Sequence, residues 1–598
     1  MAETSDAPDA ARASQVRQWL ILGLLLLVPL ALQLMRPVPR IGADAIEYYS
    51  LLHSLYFDHD LRLDNEYAHF NILNRGDKVH LTATGYRRTI FSIGPAVLWL
   101  PFFALGDVVA RARGAVQDGY SPAHIRAVML ASLVYGSIGL LLVAAVLRTL
   151  FDRRLVLLTV GLLLYATSLF YYVVDEPIVS HAPSFFAGAL VLWIWWGGRR
   201  GLSTGRAVAL GLAIGVAASV RWQNGVLLLL PAGTLLLHIR AGYLRTLGRG
   251  SLVLGAFLVG ALPQMLAWQA IYGVPLLPYP PHGADFLRLD HPFLLQTFFS
   301  SRHGLLYWTP VLWLGYLGFI GVVRRDWRDA FVLLAPLAVM SYVNVCAGDW
   351  WAGGSFSNRR FDSVLPLLAF GLIESLGWLQ RVVARHPLRV LGVGALALAA
   401  WNVLLAEQYR LGALPPDDAV TFEQMAGNSA RLVREKVGTP LAWPANWILA
   451  LRLGLTPGHW DRMVGPYLFY RQNNLGGVVE IGTADPDADL GPLGEGWGLP
   501  QTCGETAHCR AVLGRARLLV ALDIPQTLDV TVRASGSGTL SMAINGTEVA
   551  QWPLTAELAD WRVRVPADRF RRELNEVALT IAPGQTCLVD RLVFQRVK

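Results

Sequence analysis

Between residues 18 and 410 long apolar runs alternate with short arginine clusters, and this alternation constrains the fold more than any other feature. A bilayer core requires about 20 consecutive apolar residues per helix, and inside it every backbone amide must be bonded within the chain. The runs lie at about 18–35, 127–147, 155–173, 178–197, 207–221, 224–238, 251–271, 304–323, 330–346, 363–380 and 388–407. The clusters are Arg148 with Arg153–Arg154, Arg199–Arg200 with Arg206, Arg240 with Arg245 and Arg249, Arg324–Arg325 with Arg328, and Arg381 with Arg385 and Arg389. Short cytoplasmic loops carry the excess of Arg and Lys. With all five clusters inside, the chain crosses twice between neighbours, which gives 11 spans, the N-terminus inside and the C-terminus outside. Hydrophobic residues make up 54% of the chain and charged residues only 16%, with a mean hydropathy of +0.41. That composition is a polytopic membrane protein. The net charge of +8 lies in the loops that set orientation, so nucleic acid is not an expected partner.

Residues 1–17 read as a cytoplasmic N-terminus, with Arg12 and Arg17 ahead of the first run. No small-x-small cleavage site follows that run, so an uncleaved first span is expected. Residues 207–221 and 224–238 are short for a bilayer and flank the polar Arg221-Trp222-Gln223-Asn224, so a tilted pair or a hairpin is expected there. Residues 91–110 are apolar enough to span, but only one net crossing is needed between Met35 and Arg148, and 127–147 supplies it. With Pro95, Trp99 and Pro101 inside it, 91–110 is expected to lie in the interface or re-enter from outside. The alternative is 12 spans with the tail inside.

Beyond about residue 410 the composition turns polar. Residues 411–474 read as a linker, partly helical. Residues 475–598 carry short alternating runs between turn signals, including an Asn545-Gly546 hairpin signal, which predicts an antiparallel β-sandwich outside the membrane. Cys503, Cys509 and Cys587 lie there, and a Cys503–Cys509 bridge is the first expectation, with a Cys587 pairing still open. Cys346 ends an apolar run and reads as packing.

The same topology gathers polar segments on the external side: the first loop 36–126, Asp175 to His181, Pro278 to Gly304 and Gly348 to Arg360. The first loop opens with six acidic residues, Asp44, Glu47, Asp58, Asp60, Asp64 and Glu66. Asp44 beside Ile41 and Ile46 could serve as a general base, or it could cap the following helix with Glu47 completing a capping box. The alternating carboxylates of DHDLRLDNEY would either hold a divalent cation or form a solvated turn; no metal ligand set is assigned. Asp175, Glu176 and His181 interrupt two apolar runs, where ionisable groups default to a functional reading against that of an ordinary exposed loop. Arg221, Arg302 with His303, and Arg359 with Arg360 offer guanidiniums for phosphate, or anchors to lipid headgroups. Carboxylates, guanidiniums and Trp faces on one side suit a sugar joined to a phosphate.

The GADAIEYY opening of the acidic loop, FSIGPAVLWLPFFALG, SHAPSFF, SSRHGLLYWTP and WWAGGSFSNRRFDSVLPLL resemble bacterial GT-C membrane glycosyltransferases, in the group of the dolichyl-phosphate-mannose protein mannosyltransferases and aminoarabinose transferases. The resemblance implies a GT-C-like fold, a polyprenyl-phosphate-linked sugar donor and a glycan, lipid or protein acceptor at the external face of the inner membrane. It also implies a catalytic acid early in the first loop, matching Asp44, and a second acidic site in the next loop, matching Asp175 or Glu176. Such enzymes often carry two adjacent acids in the first loop; here Glu47 stands three residues from Asp44. The tail is similar to carbohydrate-binding β-sandwiches. The rivals are a lipid-linked glycan ligase or oligosaccharyltransferase, a lipid-linked-sugar transporter, and a non-catalytic glycan-binding anchor.

Overall fold

A computed structural model describes residues 23–597 apart from 24, 37, 40, 74–75, 240–241, 277–285, 464–467, 470–476, 483–492, 504–507 and 583. The expected cytoplasmic N-terminus, the PYPPHGAD part of the third external segment and most of the GETAH loop lie outside these residues. The chain divides into two compact units, 1–429 and 430–598. The division falls inside the expected linker.

The apolar runs of the first unit fold as helices, as internal backbone bonding in hydrocarbon requires. They are α1 (Leu25–Met35), α2 (Asp44–His53), α3 (Asp64–His69), α4 (Gly94–Ala112), α5 (Pro122–Leu147), α6 (Arg153–Tyr165), α7 (Leu169–Val174), α8 (His181–Gly198), α9 (Thr204–Val220), α10 (Leu229–Leu237) and α11 (Tyr243–Tyr272). After them come α12 (Leu294–Phe299), α13 (Leu305–Trp308), α14 (Val311–Leu317), α15 (Phe319–Arg325), α16 (Trp327–Val345), α17 (Leu365–Val382) and α18 (Pro387–Arg410). Six of the described helices are long and apolar enough to cross a membrane by length and composition, α4 and α18 among them. The run 91–110 thus forms, from Gly94 to Ala112, one continuous helix of spanning length despite Pro101.

Several expected spans are broken, and polar side chains repair two of the breaks. The run 155–173 divides into α6 and α7, and Asn402 of α18 donates to the freed carbonyls of Tyr165 and Thr167 at 3.0 and 2.8 Å. The two short runs 207–221 and 224–238 part at Arg221, as expected, and its backbone is extended (φ −147°, ψ 121°) before a 3-10 turn, Trp222–Leu228. Asn224 donates to the Ala217 carbonyl at 3.0 Å and to Ser184 at 2.9 Å. Non-helical backbone at membrane depth persists only where the protein satisfies it in this way. The helix α9 packs closely on α11 because Gly211, Gly215 and Gly260 have no side chains; a Cβ on any of them would collide with the opposing backbone. The core of this unit is aromatic, with Tyr49, Tyr67, Trp99, Tyr172, Trp195 and Trp308 fully buried.

The expected linker carries α19 (Phe422–Val437), α20 (Ala445–Leu453) and α21 (Pro457–Met463). Among its described residues the second unit ends in ten strands: β1 (Val478–Glu480), β2 (Trp497–Thr502), β3 (His508–Val512), β4 (Arg515–Leu522), β5 (Leu528–Ser537), β6 (Thr539–Ile544), β7 (Thr547–Pro553), β8 (Ala559–Val565), β9 (Glu573–Ile581) and β10 (Thr586–Arg596). They form two antiparallel sheets, one in the order β2-β3-β10-β5-β8 with β1 also on β10, the other β4-β9-β6-β7. Leu518, Val520, Leu540 and Leu579 of one sheet and Val530, Val532, Val589 and Leu592 of the other share one apolar core. The β6–β7 turn is Asn545-Gly546, both at positive φ (50° and 84°), as a two-residue hairpin of this chemistry demands. A disulfide joins Cys503 to Cys509, and Cys587 is a buried free thiol.

Candidate active site

Asp44 is the first residue of α2, and its carboxylate does not cap the helix: Ala43 occupies the cap position and no side chain bonds the first turn. The capping-box expectation therefore fails. Instead Asp44 Oδ2 lies 2.7 Å from Arg359 Nη1. Arg359 begins a 3-10 turn, Arg359–Val364, ahead of α17, and its Nε donates to the Ala352 carbonyl at 3.3 Å. The tertiary fold thus brings the opening of the first loop to the end of the Gly348–Arg360 segment.

Glu47 lies one turn along α2 but faces elsewhere. It is 4% exposed and accepts hydrogen bonds from Tyr67 Oη at 2.5 Å and Thr89 Oγ1 at 3.0 Å. These contacts fasten the first loop to itself. The expected catalytic role for Glu47 finds no support in this arrangement.

Beside the Asp44–Arg359 pair lies a buried polar cluster. His181, at the start of α8, receives a hydrogen bond on Nδ1 from Arg221 Nη1 at 2.9 Å, and the same nitrogen lies 2.9 Å from Asp362 Oδ2. Asp362 also accepts from Ser168 Oγ. The His181 ring packs on Tyr172, centroids 4.2 Å apart, and the Tyr172 hydroxyl bonds both the carbonyl and the amide of Phe356 at 3.1 Å. Tyr48 of α2 donates to Ser180 at 2.8 Å. Breaks at Ser168, Ser180 and Arg221 therefore place side chains where unbroken helices would place apolar packing.

Asp175 and Glu176 part company. Asp175 is locked by Arg36, with Arg410 3.8 Å away, and Arg36 Nη2 also meets Glu407 at 3.1 Å. This network ties the end of α1, the α7–α8 loop and the end of α18 together, so Asp175 serves as a structural clamp and not as the expected substrate ligand. Glu176 is mostly buried, with a partly exposed edge. Burial of its surroundings raises its pKa to about 7, opposed by Arg359 and reinforced by Asp44 and Asp175.

The remaining expected residues divide similarly. Arg360 is bound to Asp349, through its carboxylate and, at 2.9 Å, its carbonyl. Arg302 stacks on Trp351, 3.9 Å from the ring centroid, and Trp351 donates to Asp417 at 3.1 Å. His303 Nδ1 meets the Trp351 carbonyl at 3.1 Å, and its Nε2 is buried without a partner. Arg302 and His303 thus support the tryptophan segment. The alternating carboxylates also separate: Asp60 accepts from Ser54 and from the Arg62 amide, both 2.9 Å, and Asp64 from Arg87 at 2.7 Å. Asp60 and Asp64 are thus taken up by the turn itself, apart from Asp58 and Glu66.

Sequence reasoning missed Asp362, Ser168, Ser180, Tyr48, Arg36, Glu407 and Arg410. For Asp362 a signal existed: an acid entering a long apolar run two residues after an arginine pair.

No protein-family model and no curated protein matches the chain. Among solved structures it is similar to ArnT from Cupriavidus metallidurans bound to undecaprenyl phosphate, at 16% identity over 75% of this chain and 74% of that one, TM-score 0.42. It is similar to the Archaeoglobus fulgidus oligosaccharyltransferase at 13% identity over 74% of this chain and 60% of that one, TM-score 0.38. It is also similar to the arabinosyltransferase EmbB from Mycobacterium smegmatis at 13% identity over 96% of this chain and 64% of that one, TM-score 0.35. At these identities and TM-scores the likenesses carry no argument about this chain, and the residue roles below rest on geometry.

Proposed function

We propose that this chain is a membrane glycosyltransferase that moves one sugar from a polyprenyl phosphate to an acceptor hydroxyl or amine at the external face of the membrane. The observation that carries this reading is the Asp44–Arg359 pair, 2.7 Å apart, next to the His181–Arg221–Asp362 cluster. A carboxylate and a guanidinium in contact are the two groups such a transfer needs. One removes the acceptor proton; the other holds the departing phosphate.

The donor phosphate binds Arg359, which then exchanges Asp44 for phosphate oxygens. Asp44 is released to take the proton of the attacking hydroxyl as the new glycosidic bond forms. The bond from the anomeric carbon to phosphate breaks, and the electron pair leaves with polyprenyl phosphate. Phosphate is a weakly basic leaving group and needs little acid help, so one carboxylate suffices. Arg221, held by His181, adds positive charge where negative charge develops. Glu176, poised near neutrality, lines the approach for the acceptor or the sugar. The β-sheet unit carries the glycan-binding role expected from its resemblance.

The test is to give purified protein a labelled sugar on polyprenyl phosphate, and separately on polyprenyl diphosphate, with cell-envelope glycan and lipid fractions as acceptors. Transfer from the monophosphate with release of free polyprenyl phosphate is the expected result. Transfer of a whole glycan from the diphosphate alone would replace this reading by that of a ligase. No transfer from either, with donor bound and translocated, would make the protein a carrier.

A further inference from the structure

A second polar centre lies in the first loop, apart from the Asp44–Arg359 pair. We propose that His53, Asp58 and Glu66 form a divalent-cation site of the zinc or manganese class, which locks the loop that presents Asp44.

The local backbone creates it. His53 ends α2 and Asp58 ends a π-helical turn, Ser54–Asp58. Five residues apart, the two side chains would diverge on an α-helix; the wider turn brings them onto one face, as single π-turns often do at functional sites. Glu66 arrives from α3. The candidate ligand atoms of the three residues all lie within 4.8 Å of one another. His53 Nδ1 is 2.8 Å from Glu66 Oε1 and 3.8 Å from Asp58 Oδ2. A tetrahedral site with bonds of about 2.0–2.1 Å sets its ligands about 3.3 Å apart, midway between those separations.

Proton accounting points the same way. His53 Nε2 lies 3.0 Å from the Asp118 carbonyl, which only accepts, so Nε2 carries the proton. In the neutral ring Nδ1 is then a lone pair, aimed at two carboxylates that also offer only lone pairs. Glu66 is fully buried, and its Oε2 has no hydrogen-bond partner. Three convergent lone pairs and an orphaned buried oxygen call for a cation. A metal-bound imidazole that donates its other N–H to a carbonyl is the usual supporting arrangement. The His53 ring is further held by Tyr120, stacked at 4.6 Å, and Asp58 by Asn65 Nδ2 at 2.9 Å. Asp58 is 34% exposed, which leaves an entrance and room for a water as the fourth ligand. One imidazole and two carboxylates fit zinc or manganese better than calcium or a thiolate-seeking metal.

The competing account is a protonated His53 neutralising the two acids with no metal. Tag-free full-length protein, stripped with chelator and dialysed against Zn2+ or Mn2+, separates the two. The expected result is one equivalent of metal by elemental analysis, a higher unfolding temperature with metal, and at least about tenfold weaker binding in Asp58→Asn and in Glu66→Gln. Asp58→Asn lies at the exposed edge and keeps the fold testable. Metal below one equivalent in the folded wild type, or equal binding by wild type and both variants, overturns the proposal. The readouts do not use transfer activity, so failure of the catalytic reading leaves them intact.

Discussion

Replacing Asp44 by Asn separates a catalytic carboxylate from a structural one. The change keeps the side chain's shape and removes its charge from Arg359, 2.7 Å away. A hydrogen bond between charged groups contributes about 1.5–3 kcal/mol when buried. Asp44 is 31% exposed and Arg359 15%, so solvent lowers the expected loss of stability to about 1–2 kcal/mol. Loss of a general base lowers turnover by about 10²–10⁴, or about 3–5 kcal/mol in the barrier. The kinetic effect therefore exceeds the structural one. Single-turnover transfer from labelled polyprenyl-phosphate sugar, with unfolding temperature measured on the same preparation, reads both. Arg359→Gln in the Asp44→Asn background removes the unpaired guanidinium; it should recover part of the stability and none of the turnover. Turnover within tenfold of wild type in folded Asp44→Asn, or restored in the double variant, would refute proton abstraction by this residue.

Glu176 predicts a pH effect. Its pKa in the fold is about 7, against 4.5 unperturbed, so the fold favours its protonated form. The stability this contributes is complete below about pH 4.5 and is lost as pH rises through 7; Glu176→Gln should therefore be the more stable protein at pH 8, by at most about 3 kcal/mol and less for the side chain's partial exposure. Unfolding curves at pH 5 and 8 check the sign. Asp175→Ala should destabilise by about 1–3 kcal/mol, because Arg36 loses a nearly buried hydrogen-bond partner; wild-type stability in that variant would remove the clamp. Gly318→Ala or Gly371→Ala should disrupt the α14–α17 packing, since a Cβ at either would overlap the facing backbone carbonyl, and the readout is yield of monodisperse protein in detergent. Reduction of the Cys503–Cys509 bridge, a short loop, should lower the stability of the β-sheet unit by about 2–3 kcal/mol by unfolded-chain entropy, measurable by thermal unfolding with and without reductant.

The helical register of the first unit was legible because hydropathy is local: each run from 127–147 to 388–407 carries its own instruction to form helix. The same holds for the Asn545-Gly546 hairpin, where two residues set the turn. What the runs did not reveal were their interruptions. Periodicity treats 155–173 as one helix, yet Asn402 on α18 makes a break there affordable by bonding Tyr165 and Thr167.

Among candidate residues, charge at the membrane edge pointed to Asp44, Glu176, His181, Arg221 and Arg359, since an ionisable group there has few other reasons to exist. Their division of labour came from contacts between distant segments. Asp175 and Glu176 are neighbours in sequence, but Arg36 and Glu407 claim the first and leave the second near Arg359. Glu47 was expected beside Asp44 and turns inward to Tyr67 and Thr89, because one helical turn does not decide which neighbour a side chain meets. Composition and hydropathy determined by themselves that this chain forms a helical membrane unit followed by a β-rich one. Tertiary structure alone paired Asp44 with Arg359 and joined His53, Asp58 and Glu66, because a side chain's partner across the fold is set by packing, which no local pattern encodes.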